Sequence, residues 1–154
     1  MREVLKVVSM EDERFKGKAM NHPTYQVETT CQVEEFRDLL LSSGLGARRP
    51  VDDLPRLEAM LRNSNLTVTA RVDGVLVGMA RSVTDRVFCC YLSCLAVHQD
   101  FKGHGIGAGL IDATKNYIGP DVSLILNSLP EAVGFYENIG MPQFPNCYWF
   151  RREQ

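Results

Sequence analysis

The chain has 154 residues, 45% of them hydrophobic and 23% charged, with a formal net charge of -2. That is the size and mix of one globular domain able to bury most of its apolar surface. The lack of a basic excess argues against a main task of gripping nucleic acid or an anionic membrane; no run is long enough to span a bilayer and no N-terminal stretch has the form of a secretory signal, so a cytoplasmic protein is expected.

In chain order, residues 4–8 read as a short strand and residues 10–23 as a charged loop or lid, together an N-terminal extension over 1–24. Tyr25, Val27 and Thr29 alternate with polar residues and predict a strand. Thr29 with Gln32 offers a capping box for a helix whose face is Val33, Phe36, Leu39 and Leu40. Gly44 and Gly46 end it. Asp52 or Asp53 can cap a second helix carrying Leu54, Leu57 and Leu61, with Pro55 in its first turn.

Residues 66–72 and 75–82 read as strands joined at Asp73-Gly74, a two-residue hairpin signal. A weaker turn at Asp85-Arg86 leads into residues 87–97, a nearly all-apolar run expected to be central and buried on both faces. A loop over 98–104 precedes a helix from about Gly105, with Ile106, Leu110, Ala113 and Tyr117 on one face and Gly119-Pro120 at its end. A short strand over 122–127, a short helix over 131–138 and a final strand over 146–152 complete the chain. The pattern predicts an α/β domain around one mixed sheet flanked by helices, with a parallel pair after the crossover helix. The five cysteines (Cys31, Cys89, Cys90, Cys94 and Cys147) are odd in number and form no C-x-x-C pair. Reduced thiols, mostly in the core, are expected.

The informative stretch is Lys102-Gly103-His104-Gly105-Ile106-Gly107-Ala108, between a buried strand and a helix start. Helix starts offer unpaired N–H groups and a partial positive charge, and glycines let an anion come close. The combination suits a pyrophosphate. A nucleotide P-loop would need Gly-Lys-Ser/Thr, but Leu110 follows Gly109. A dinucleotide fingerprint would start directly after its strand and place an acid where Asn127 stands.

The run from Leu95 to Leu110 instead resembles the acetyl-coenzyme A loop of the GNAT N-acetyltransferase superfamily, Gln/Arg-x-x-Gly-x-Gly/Ala after a long strand. Gly105 and Gly107 match, and Lys102 replaces the usual Gln or Arg. A second block over 129–141, with Phe135-Tyr136-Glu137 and Gly140-Met141, resembles the family's Phe-Tyr-Glu-x-x-Gly-Phe helix. The likeness covers about residues 25–152 and is strongest over 87–141, the expected acetyl-coenzyme A-binding core of one domain spanning 1–154.

The resemblance implies a fold with splayed central strands and a direct transfer of acetyl from acetyl-coenzyme A to a primary amine of a small molecule or protein, without a metal. It implies that Tyr136 protonates the departing thiolate; the alternative is that Tyr136 only packs beside the cofactor. The backbone of Leu95, Ala96 and Val97 would pair with the pantetheine arm. Lys102, Gly103, His104, Gly105, Ile106, Gly107 and Ala108 would hold the pyrophosphate. Asn127 and Ser128 at the mouth would touch cofactor or substrate, or cap the next helix. Cys94 stands where one branch of the family has Asp, so the base is expected to be water held by Ser93 or Tyr91, with Glu131 and His98 as further candidates. Arg48 and Arg49 border the acceptor site by this likeness, either selecting a substrate anion or simply solvated. Phe144 and Trp149 wall the acceptor pocket or belong to the core. A homodimer is compatible with the resemblance. A non-catalytic acetyl-coenzyme A-binding module of the same fold is the alternative function.

Overall fold

The computed structural model describes residues 13–17 and 21–153. The expected strand over 4–8 lies outside them, as do residues 10–12 and 18–20 of the proposed loop or lid. Among the described residues, five strands form one sheet in the order β1 (Thr24–Val27), β2 (Leu66–Val72), β3 (Val75–Thr84), β4 (Cys89–Val97) and β5 (Ser123–Ile125). All neighbours are antiparallel except β4 and β5, which run parallel. The helices are α1 (Val33–Ser43), α2 (Leu54–Arg62), α3 (Ile106–Ile118) and α4 (Val133–Asn138).

Local chemistry explains most boundaries. Asp53 accepts from the Arg56 N–H and caps α2. Asp73 and Gly74 both take positive φ, as the β2–β3 hairpin requires. The Asp85 carboxylate accepts from the N–H groups of Val87, Phe88 and Cys89, which delays β4 by two residues relative to the apolar pattern. The capping box at α1 does not form, because Gln32 is the N-cap and makes no side-chain bond there. α1 ends at Gly44 in the left-handed region, as expected.

Two apolar clusters sandwich the sheet. α3 packs Ile106, Leu110 and Ile111 against Val68, Val77, Ala80, Cys90 and Leu92. α1 and α2 pack Phe36, Leu39, Leu40 and Leu57 against Leu76, Met79, Cys94 and Ala96. Tyr117, expected on the inner stripe of α3, is exposed, while Ile111 and Thr114 are buried in its place.

Leu92 and Cys94 fall in different clusters although two residues apart. Cys94 pairs with Arg81 and Leu92 with Ser82, so Ser93 has no partner on β3. It is a β-bulge, and one extra residue swaps the faces beyond it. β4 is therefore not buried on both faces along its length. Cys90, Leu92, Cys94 and Ala96 are buried, whereas Cys89 and Tyr91 are exposed.

The final strand over 146–152 is also corrected. No strand forms there, and Tyr148, Trp149 and Phe150 stand in solvent. Three consecutive aromatics followed by two arginines offer no alternation that would pin one face to the sheet. β5 is thus the sheet edge. A groove of about 830 Å³ runs beside it, lined by residues such as Ile111, Lys115, Leu124 and Ile139.

Candidate functional site

β4 and β5 pair only from Cys89–Ser123 to Tyr91–Ile125. Beyond that, β5 stops while β4 continues to Val97. The His98 N–H donates to Val77 O at 2.8 Å. Antiparallel pairs alternate between bonded and non-bonded, so Ala96 faces β3 with its peptide groups, and Leu95 and Val97 direct theirs into the gap left by β5. Their half-buried side chains pack toward α3 and α4. The result is a stretch of free strand edge inside the fold.

This edge runs into the glycine turn. His98 is 7% exposed, its Nδ1 accepts from the Asp100 N–H, and its ring packs edge-on to Phe15 and Phe101. Its Nδ1 also lies 3.8 Å from the Asp100 carboxylate, which fixes the corner at the end of β4. A 3₁₀ turn over Gln99–Phe101 follows. The Lys102 ammonium donates to Ser43 O at 2.7 Å, tying the turn to the end of α1. His104 is exposed, with Nδ1 3.0 Å from Lys102 O.

The glycines divide by role. Gly103 and Gly105 have φ of 78° and 79°, and no atom would lie within 4 Å of an added Cβ at either. They supply a left-handed turn, adopted without strain by glycine, that is open to an incoming group. Gly107 is closed in, since an added Cβ would lie 3.0 Å from Phe135 Cζ. Gly109 lies directly under the Tyr25 phenol. No side chain caps α3, and its internal ladder begins with the Gly109 N–H donating to Gly105 O. The N–H groups of Ile106, Gly107 and Ala108 therefore have no helical acceptor. An uncapped helix start next to two open glycines suits a phosphate.

Across the gap, residues 126–129 lead to a 3₁₀ turn over Pro130–Ala132 and then α4. Asn127 is exposed. The Ser128 hydroxyl donates to Leu129 O at 2.8 Å and caps nothing. Phe135 and Tyr136 contact edge-on at 5.0 Å, and Tyr136 packs half-buried against the α3-side core. Burial raises the Tyr136 pKa above the usual phenol value of 10, which keeps the hydroxyl protonated at neutral pH.

The bulge at Ser93 marks the other end of the gap. The Ser93 hydroxyl accepts from Arg81 Nη2 at 2.8 Å, and its carbonyl accepts from Arg49 Nη2 at 2.8 Å. Cys94 is 1% exposed beneath the same two arginines. Arg48 meets Glu131 at 3.5 Å, linking the turn over Leu45–Arg48 to the turn before α4. Tyr91 lies on the last paired row, beside Ile125 and Val83, and is exposed. Phe144 and Trp149 are both exposed: neither belongs to the core.

Sequence reading missed the bulge and Arg81, and it singled out Arg49 without foreseeing that both arginines pin the bulge. The available signal was the polar pair Ser93-Cys94 inside an apolar strand, with Arg81 inside another. Among the described residues, no group of three or more His, Cys, Asp or Glu could hold a metal ion, and no helix is long and apolar enough to cross a membrane.

Residues 50–144 match the family model described as an acetyltransferase (GNAT) domain. The chain is 26% identical over 151 residues to the uncharacterized N-acetyltransferase ycf52 of Pyropia yezoensis, covering 82% of this chain and 85% of that one. Its fold is similar to the aminoglycoside N-acetyltransferase AAC(6')-Iy in complex with CoA, with a TM-score of 0.66, 18% identity and coverage of 90% and 99%. It is also similar to the ribosomal-protein-alanine N-acetyltransferase of Brucella melitensis, with a TM-score of 0.63, 25% identity and coverage of 84% and 99%.

Proposed function

The chain belongs to the GNAT acetyltransferase family and is an acyltransferase, and from that premise we propose that it moves the acetyl group of acetyl-coenzyme A to a primary amine by direct attack in a ternary complex. The observation that carries this reading is continuity. The free edge of β4 at Leu95 and Val97 is joined by the single short turn Gln99–Phe101 to the open glycines and the uncapped start of α3. An extended amide-bearing arm ending in a pyrophosphate fits that path, by strand addition along β4 and anion binding at the helix.

In this reading Leu95, Ala96 and Val97 present backbone to the arm. Gly103, His104, Gly105, Ile106, Gly107 and Ala108 present N–H groups to the pyrophosphate, and Lys102 adds positive charge from its tether on Ser43. The cosubstrate supplies a thioester carbonyl open to attack. The amine nitrogen gains the acetyl group; its ammonium gives up two protons, one ending on the sulfur and one in solvent. Tyr136 donates to the sulfur, a role supported by its raised pKa and half-buried ring. Ser93, and at longer range Tyr91, hold the water that removes the first proton. Residues 1–154 act as one domain whose cosubstrate-binding part is 87–141.

Thiol release from acetyl-coenzyme A over a panel of primary amines tests the reading. Amine-dependent release with matching N-acetyl product supports it. Saturable binding without release from any amine would overturn it in favour of a non-catalytic module.

A further inference from the structure

Two guanidinium groups converge on one sulfur. Arg49 Nε donates to Cys94 Sγ at 3.1 Å and Arg81 Nη2 at 3.4 Å. Their other bonds go to uncharged atoms. Arg49 reaches Ser93 O and Arg48 O, and Arg81 reaches Ser93 Oγ, Ser64 Oγ and Met60 O. Among the described residues, no carboxylate lies within 4.0 Å of either. Arginine stays charged at any working pH. Arg81 is only 6% exposed, and its Nε has no partner.

Uncompensated burial of like charges is costly. The fold avoids it elsewhere: the well-covered Arg71 is held by both Glu28 and Glu35. Among the described residues, Arg49 and Arg81 have no such counter-ion. Arg49 is half-buried, with only three of its five N–H groups committed. The adjacent Arg48 holds Glu131 at 3.5 Å, and both are well exposed. A pair of that kind is weak and readily exchanged.

We propose that Arg48 and Arg49, backed by Arg81, form the anion subsite of the acceptor, and that the acetylated amine carries its own carboxylate. The inference rests on the acetyl-transfer reading and deepens it. The cluster sits on the bulge at Ser93, where β4 and β5 have parted and an amine would enter. Arginine's planar fork matches a carboxylate. A small amino acid exchanges both charges of the Arg48–Glu131 pair at once, its carboxylate going to the arginines and its ammonium to Glu131. A purely cationic acceptor, such as a polyamine, meets two guanidinium groups and one carboxylate at this mouth, with the charge of Arg81 behind them, and is disfavoured.

Matched amines that differ only in the carboxylate test this: phenylalanine against phenethylamine, and lysine against cadaverine, followed by thiol release. The acid of each pair should show at least tenfold higher kcat/KM. Arg49→Gln should erase that advantage mainly through KM, and Arg49→Lys should restore part of it, with acetyl-coenzyme A affinity and melting temperature near wild type. A preference for the carboxylate-free amine, or one for the acid that survives Arg49→Gln, would overturn the subsite while leaving acetyl transfer intact. Titration of N-acetylphenylalanine and N-acetylphenethylamine into the protein with coenzyme A reads the subsite without turnover. Tighter binding of the acid, lost in Arg49→Gln, is expected, and equal binding overturns the proposal. Absence of thiol release from every pair and from the wider panel of primary amines contradicts the acetyl-transfer reading instead.

Discussion

Gly107 of α3 and Phe135 of α4 meet so closely that a single added carbon would lie 3.0 Å from the Phe135 ring. This contact seats α4, and with it Tyr136, against the start of α3. Gly107→Ala should push the ring outward, cost about 1–3 kcal/mol of stability and lower kcat more than it weakens acetyl-coenzyme A binding. Adding Phe135→Leu, which shortens the ring side, should recover part of both. Independent, additive effects of the two changes in chemical melts and turnover would contradict the coupling.

Tyr136→Phe removes the proposed donor and keeps the ring. A fall in kcat of about 10²-fold is expected, with acetyl-coenzyme A affinity unchanged. The sign of the pH dependence follows from the raised pKa. The donor is needed protonated, so its contribution is present below that value and lost only above pH 10. The wild-type rate should therefore rise with pH through the neutral range, as the acceptor amine loses its proton, and the variant should follow the same shape at a lower level. A near wild-type kcat would assign Tyr136 to packing alone.

Glu28 is held by Arg71 at 2.6 Å, and the guanidinium hydrogen bonds are the main reason its pKa falls to about 2. The folded value lies below the unfolded one, so the stabilisation is full above about pH 4.3 and drains away as pH falls toward 2. It amounts to on the order of 2–3 kcal/mol. Glu28→Gln should lower the melting temperature at pH 7 and flatten the loss of stability between pH 5 and pH 3. Equal acid sensitivity of wild type and variant in thermal melts would remove this pair from the account.

Much of the fold was written locally. Asp53, Asp73-Gly74 and Gly44 announce their boundaries through cap and turn chemistry that depends on a few neighbouring atoms. The glycine turn was legible for the same reason, because positive φ at Gly103 and Gly105 has few other solutions. What stayed hidden depends on distant partners. The polar pair Ser93-Cys94 hints at an irregularity, but the bulge itself is set by the register against β3, so the change of face at Ser93 defeated the reading of residues 87–97. The tether of Lys102 to Ser43, 59 positions away, and the convergence of Arg49 and Arg81 on Cys94 are likewise products of tertiary packing. Gly107 illustrates a mixed case: its place in the motif was evident, but its neighbour is an aromatic ring, which makes close packing its visible task.

Titration of acetyl-coenzyme A into wild type, Gly105→Asn and Gly105→Asp tests whether the start of α3 holds the pyrophosphate. Asn and Asp have the same shape and both tolerate positive φ better than other side chains, so the two variants differ essentially in charge at the open face of the turn. Saturable binding by wild type, weaker binding by the Asn variant and a further loss of at least tenfold for the Asp variant are expected, with all three folded. Equal affinity of the Asn and Asp variants, or no binding by folded wild type, would contradict a pyrophosphate site at the start of α3.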